Sequence, residues 1–550
     1  MIKENKKFEV KRRKGISKIS IIGLLIVYSL FMLLFIISFF HTAFLKVGTF
    51  NSSKFWVPAL TAVIIIFFLT FLSKKSCIDK WLEHLQNKNY LLIMTAFILF
   101  LLQIGMAFSL YVHIGWDVGF VIDSVNMLVK NPQSFCNSGR SSYFLIYPNN
   151  LFLLSLFYQI DKGLAAVGVS HFLIFEILLN TMIVNLSAWL TFGVIKKMTN
   201  FKTAILSLTF IIPFLIFSPW IIVPYSDTLS MIFPILIIYL YVQQKQIINE
   251  KHKIFLWIGI GFSACIGMFI KPTVIISVIA IFIIDFLTVA SKKQLKRVLV
   301  SFVIVLGSTL CCNLLCNAFI SNSVGRYIAL KQKDKFSVPA THFIMMGMQE
   351  YKVNDGTTVY GAYLSDDVSF TLSKPTKDEK EKANCEEIKK RLKKFGICGY
   401  IKFIYNKANW ILSDGTFWWG KEGSFLTTPF YAKAPLCVFL QQIFSNGQAK
   451  YYKYVNIIQG FWIAVQFLLI VPLFLAKKDY NNINSAVLRL TLIGIILFIL
   501  LFEGRSRYLI NHLPIFITLA SYGIWSCRDF SIYDLKLFQK FKTERRYNHE

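Results

Sequence analysis

Apolar residues in this chain come in long unbroken blocks separated by short basic connections, rather than at the spacing of amphipathic helices. A helix that is apolar all round and about 20 residues long is a membrane span. The pattern predicts spans at Ile19–Ala43, Phe55–Ser73, Tyr90–Val112, Phe172–Ile195, Thr203–Ile222, Asp227–Tyr241, Ile254–Ile270, Pro272–Thr288, Val298–Phe319, Val455–Leu475, Val487–Phe502 and Tyr508–Trp525. The predicted fold class is therefore an all-α polytopic membrane protein of about 12 transmembrane helices. One stretch resists assignment. Tyr143 to Ile160 is apolar but short, and either re-enters the membrane or is balanced by an extra short span before His171.

Blocks and connections divide the chain. Residues 1–320 form an N-terminal membrane domain that carries an external loop, 113–150. Residues 321–454 are too polar for a bilayer and too long for a simple connection, so a small extracytoplasmic domain with a helix over Lys377–Lys394 is expected there. Residues 455–526 hold the last spans, and 527–550 form a basic tail.

Composition agrees with the blocks. The 550 residues are 55% hydrophobic and only 16% charged, with mean hydropathy +0.56; soluble chains carry about 25% charged residues. The formal charge of +30 would suggest nucleic acid in a soluble protein, but no nucleic-acid-binding motif accompanies it. Its Lys and Arg residues instead gather in alternate connections: Lys74 to Lys88, Lys196 to Lys202, Lys245 to Lys253, Lys292 to Arg297, Lys477 with Lys478, and the tail. By the positive-inside bias these lie in the cytoplasm, as do both termini. The basic start, Lys3 to Lys18, precedes an apolar run too long for a cleaved signal peptide and reads as an uncleaved first span. Ten cysteines show no metal spacing. Cys311, Cys312 and Cys316 read as packing residues, and Cys385 and Cys398 are close enough in sequence to pair.

The opposite connections hold the unusual polar residues. Trp116-Asp117 follows directly on a span, with Asp123 six residues on, where a straight helix would put the two carboxylates on different faces. A partly dehydrated carboxylate at the membrane rim suits a general base, so Asp117 is the catalytic candidate and Asp123 a secondary one. Tyr147-Pro148-Asn149-Asn150 opens the next apolar segment, either as a plain helix start or as a ligand contact through Tyr147, Asn149 and Asn150. Asp227 begins a span, as a helix cap or as a carboxylate facing an acceptor or metal. Lys271 and the turn Glu503-Gly504-Arg505-Ser506-Arg507 place cations where anionic phosphate could be held. Asp414 and Trp418 lie in an aromatic, polar stretch that suits either a sugar ring or a membrane surface. Glu176 falls inside a span and could face the same cavity. No Walker A loop, dinucleotide loop or zinc helix is present, so nothing points to a nucleotide. No metal is assigned, although a divalent cation stays open.

The order of these features resembles the GT-C superfamily of polytopic glycosyltransferases, which includes the protein O-mannosyltransferases and the GPI mannosyltransferases. Trp116-Asp117 stands where that group has its outward acidic residue. Tyr143 to Asn150 is similar to the segment that follows it in bacterial members. Pro224-Tyr225-Ser226-Asp227 resembles an outward acidic turn of the GPI-type enzymes. The ending from Glu503 to Tyr508 resembles surface-polysaccharide glycosyltransferases of Gram-positive bacteria. The chain departs from O-mannosyltransferases in having Trp-Asp rather than an Asp-Glu pair, and from many relatives in the added span pair of Ile19–Ser73. The resemblance implies an inverting transferase that moves a sugar from a polyprenyl-phosphate-linked donor to a cell-envelope glycan, with Asp117 as base and Arg505, Arg507 and Lys271 on the donor phosphate. The alternative from another class is a lipid-linked sugar flippase or transporter, which would place its ionisable groups near the bilayer midplane.

Overall fold

A computed structural model describes residues 18–44, 56–353, 356–422, 430–475 and 482–527. The lysines expected inside at 477, 478 and in the tail, and the segment before Lys18, lie outside the described residues.

The principal helices are α1 (Lys18–Phe44), α2 (Trp56–Lys74), α3 (Ser76–Asn87), α4 (Asn89–Ser109), α5 (Trp116–Lys130), α6 (Leu151–Ala166), α7 (Leu173–Met198), α8 (Phe201–Ile211), α9 (Ile232–Gln244), α10 (Glu250–Ile270), α11 (Ile275–Leu287), α12 (Lys292–Val324), α13 (Lys377–Leu412), α14 (Tyr451–Leu475), α15 (Ile483–Leu501) and α16 (Leu513–Cys527). Among the described residues ten helical stretches are long and apolar enough to cross a membrane. The shorter α11 and α16 continue their alternation of direction. The strands are β1 (Glu350–Lys352) and β2 (Thr358–Tyr360), an antiparallel pair in which Tyr351 faces Val359. The protein is an all-α polytopic membrane protein. Exposed Leu, Ile and Phe side chains on α1, α2, α4 and α12 supply the lipid-facing surface.

The bundle has two chemically distinct ends. At one, Lys202 Nζ pairs with Asp79 Oδ1 at 2.9 Å and donates to the Lys75 carbonyl at 2.8 Å. Lys197 reaches Gln246 at 3.5 Å, and Lys245 donates to Asn484 Oδ1 at 3.0 Å. The basic connections thus share one end. At the other end lie the start of α5, the start of α7 and the turns at Tyr225, Lys271 and Glu503.

This arrangement resolves the ambiguous stretch. The first residues of α6 follow Asn150, whose side chain bonds Tyr143 and Tyr225. Farther along α6, Gln159 donates to Ser323 at 2.8 Å near the end of α12. Asp161 faces Glu176, both fully buried, at the first turn of α7. Every landmark on α6 is at the end away from the basic connections, so Tyr143 to Ala166 does not cross the bundle. Its apolar composition comes from packing on α5 and α12, not from a traverse.

Several boundaries move. Tyr508 is not part of the last span: Ser506–His512 is a 3-10 turn, and the helix starts at Leu513. The expected helix at Lys377–Lys394 runs on to Leu412, bent at Gly396, whose φ of 61° suits only glycine comfortably. Cys385 and Cys398 are free thiols. Cys385 lies about 16 Å of helical rise before the bend at Gly396, and Cys398 only two residues beyond it, so the expected pairing is ruled out geometrically.

Candidate functional site

Asp117 occupies the first turn of α5, where the helix N-terminus favours a negative charge. The turn before it is tight. Trp116 adopts φ 49°, a left-handed conformation that is strained for a bulky residue. A Cβ on Gly119 would stand 2.2 Å from the Ile114 carbonyl oxygen, so glycine is required where the helix folds back on its entry.

A chain of hydrogen bonds supports the carboxylate. Tyr143 Oη donates to Asp117 Oδ1 at 2.8 Å. Asn150 Nδ2 donates to Tyr143 Oη at 2.9 Å, and Tyr225 Oη donates to Asn150 Oδ1 at 3.1 Å. Burial, more than the neighbouring carboxylate, pushes the Tyr143 and Tyr225 phenols upward, so both act as donors. Asn150 is therefore a buried linker between two tyrosines. Asn149 is exposed beside it, and Tyr147 is part-exposed with its ring against Tyr143.

The two arginines of the Glu503 turn arrive from the far end of the sequence. Arg507 lies 4.1 Å over the Trp116 ring, with its Nε 3.9 Å from Asp227 Oδ2. Arg505 lies 5.5 Å over the Trp418 ring. Trp418 is also left-handed, at φ 67°. Among the described residues only Trp116, Phe417 and Trp418 are non-glycine with positive φ, and both tryptophans carry an arginine on their faces. The indole platforms and the guanidinium groups thus form two matched cation–π pairs.

Glu503 accepts from Tyr508 Oη at 3.0 Å. Burial lifts this carboxyl above the usual range, against the pull of Arg505 and Arg507. Tyr363 feels the charges of Asp117, Glu503 and Arg505 together, and is exposed, so it stands at the rim of the same cleft.

Not every expected residue is free to act. Lys271 is buried and ion-paired with Asp227, which is itself 1% exposed. Asp227 is thus neither a simple cap nor an open acidic face. Asp123 points away from Asp117, pairing with His113 Nε2 at 3.0 Å and lying 3.7 Å from Arg140. Its hydrogen bond raises the His113 pKa. Asp414 is fully spent on its own turn, accepting from Thr416 N at 2.8 Å, Thr416 Oγ1 at 2.7 Å and Trp418 N at 2.8 Å. At 1% exposed it presents no oxygen to a sugar, and Trp418 is 7% exposed, a support for Arg505 rather than an open platform.

The family follows from a comparison over nearly the whole chain. Residues 17–527 match the family described as "Conserved hypothetical integral membrane protein". The chain belongs to that family. No curated protein and no solved structure matches it.

In this integral membrane protein one positioning residue carries no signal in the sequence. Lys407, wholly buried on α13, donates from Nζ to the carbonyls of Gly347, Leu500 and Phe502 at 2.8, 3.1 and 2.7 Å. It caps the end of α15 just before Glu503, satisfying carbonyls that the helix leaves open. Gly361, at φ 64°, gives it room: a Cβ there would stand 2.6 Å from Lys407 Nζ. The Gly361 carbonyl in turn accepts from Gly504 N at 2.9 Å. Lys407 is the only charged residue in a largely apolar and aromatic run, Phe403 to Leu412, and its acceptors lie far from it in sequence, so only the fold reveals its role.

Proposed function

We propose that the protein transfers a sugar from a polyprenyl-phosphate-linked donor to a cell-envelope glycan or glycopolymer at the outer face of the plasma membrane. The carrying observation is the convergence of Asp117 with Glu503, Arg505 and Arg507, which are almost 400 residues away in sequence, at the end of the bundle opposite the basic connections. The positive-inside bias puts that end outside. A base and a cationic phosphate site side by side suit displacement at an anomeric carbon. Asp117, aligned by Tyr143, takes the proton of the acceptor hydroxyl as that oxygen attacks. The bond to polyprenyl phosphate breaks, and its charge develops beside Arg505 and Arg507. Lys271 serves by holding Asp227, and Asp227 in turn steadies Arg507.

A lipid-borne donor also fits the surface. An apolar groove with a volume of about 810 Å³ runs beside α11, lined by Ile275, Ile279, Ile283, Phe302 and Leu306. It runs from Ile275, one helical turn past Lys271, to Ile19 and Val289 at the basic end of the bundle. The test is transfer in proteoliposomes from a polyprenyl-phosphate sugar to an envelope glycan acceptor. Asp117→Asn should abolish transfer while the protein still inserts and keeps its thermal stability. Transfer by that variant within a few-fold of the parent refutes Asp117 as base. Movement of the lipid-linked sugar across the bilayer with no transfer refutes the enzyme in favour of a flippase.

A further inference from the structure

Three thiols meet inside the bundle, away from the Asp117 cleft. Cys265 comes from α10, and Cys312 and Cys316 lie one turn apart on α12. All three are buried, and their sulfurs lie within 4.8 Å of one another. Cys312 Sγ and Cys316 Sγ are 4.0 Å apart. The helix pair is close because Gly261 faces the Val305 carbonyl and Ser308, with Thr309 Oγ1 donating to the Gly261 carbonyl at 3.2 Å. Small residues let the backbones approach, and cysteine could serve there as a small apolar filler. The sulfur geometry goes further than filling requires. A trigonal centre with metal–sulfur bonds of about 2.3 Å holds its sulfurs about 4.0 Å apart, close to the spacing already present.

We propose that Cys265, Cys312 and Cys316 form a Cu(I) site between α10 and α12. Soft thiol donors select Cu(I) or zinc, and zinc in a closed site takes four ligands. Among the described residues no fourth Cys, His, Asp or Glu joins the three. Cysteine ligates metal as thiolate. Binding of one Cu(I) therefore replaces three sulfur–hydrogen bonds with three copper–sulfur bonds, the three protons leave to solvent, and copper remains Cu(I).

The experiment uses the full chain in detergent micelles with the other seven cysteines (Cys77, Cys136, Cys311, Cys385, Cys398, Cys437 and Cys527) changed to Ser. Cu(I), kept reduced and free of oxygen, is titrated against a colorimetric Cu(I) chelator. The expected result is one Cu(I) withheld from the chelator per chain, about three protons released, and an X-ray absorption spectrum of three sulfurs near 2.3 Å. Cys265→Ser, Cys312→Ser and Cys316→Ser conserve size and should each weaken retention at least tenfold without lowering thermal stability in the metal-free state. Retention unchanged by any of the three substitutions, or no retention beyond that of a chain lacking all ten cysteines, overturns the site and leaves the thiols as packing groups. The outcome is independent of sugar transfer.

Discussion

At the scale of single residues, the cleft is held by side chains whose partners are charged or strained. Trp116 illustrates both. Its left-handed backbone costs on the order of 1–3 kcal/mol, and its ring lies 4.1 Å beneath Arg507. A cation–π pair of this kind contributes about 0.5–2 kcal/mol. Trp116→Ala should therefore weaken binding of polyprenyl phosphate by roughly 2- to 30-fold, with Trp116→Phe intermediate. Native mass spectrometry of the lipid-bound fraction would measure it, and unchanged affinity in the alanine variant would show that the indole does not set the arginine. The His113–Asp123 pair makes a separate claim about pH. The hydrogen bond that His113 donates to Asp123 raises the His113 pKa above its ordinary value. Stability from the pair is then fully present below about 6.5 and is lost as pH rises through the raised value. Both groups are part-exposed, so the contribution is modest. Asp123→Asn should lower the His113 titration midpoint followed by NMR of labelled histidine.

At the scale of elements, the Glu503 turn depends on its neighbours more than on its own sequence. Lys407 gathers three carbonyls around the end of α15. Lys407→Met leaves them without a donor, at a cost of about 1–3 kcal/mol for each one left unsatisfied. Burial takes the Lys407 pKa down to about 7, while an unfolded lysine titrates near 10.4. Between those values the unfolded chain binds more protons, so Lys407 contributes stability that increases as pH rises. The gap in melting temperature between parent and Lys407→Met should widen from pH 7 to pH 10; a gap that narrows contradicts the burial of this amine. These same elements show what could be read beforehand. Asp117, Asp227, Lys271, Arg505 and Arg507 stand out because polar residues at the rim of apolar blocks are rare. Tyr143 and Tyr225 do not, since aromatic residues beside apolar runs look like core. Asp414 and Trp418 misled for a related reason: a carboxylate that folds its own turn has the same composition as one that grips a ligand.

At the scale of the whole molecule, the decisive feature is the stretch from Tyr143 to Ala166, which hydropathy could not assign. Apolar length alone does not distinguish a helix buried against α5 and α12 from one that traverses lipid. The contact between Asp161 and Glu176 does, because it returns the chain to the side it left at Ser109. Labelling can test this in whole cells. Cys136 is exposed at the cleft end of the bundle, before the ambiguous stretch, whereas Gln246 lies at the basic end, after it. In a chain keeping Cys136 as its sole cysteine, a membrane-impermeant maleimide should react from outside intact cells. A sole cysteine introduced as Gln246→Cys should react only after permeabilisation. If Tyr143 to Ala166 crossed, the two positions would share a side and label together. The cleft and the basic connections would then no longer be segregated, and Asp117 and Arg505 would face opposite compartments, too far apart to act on one donor.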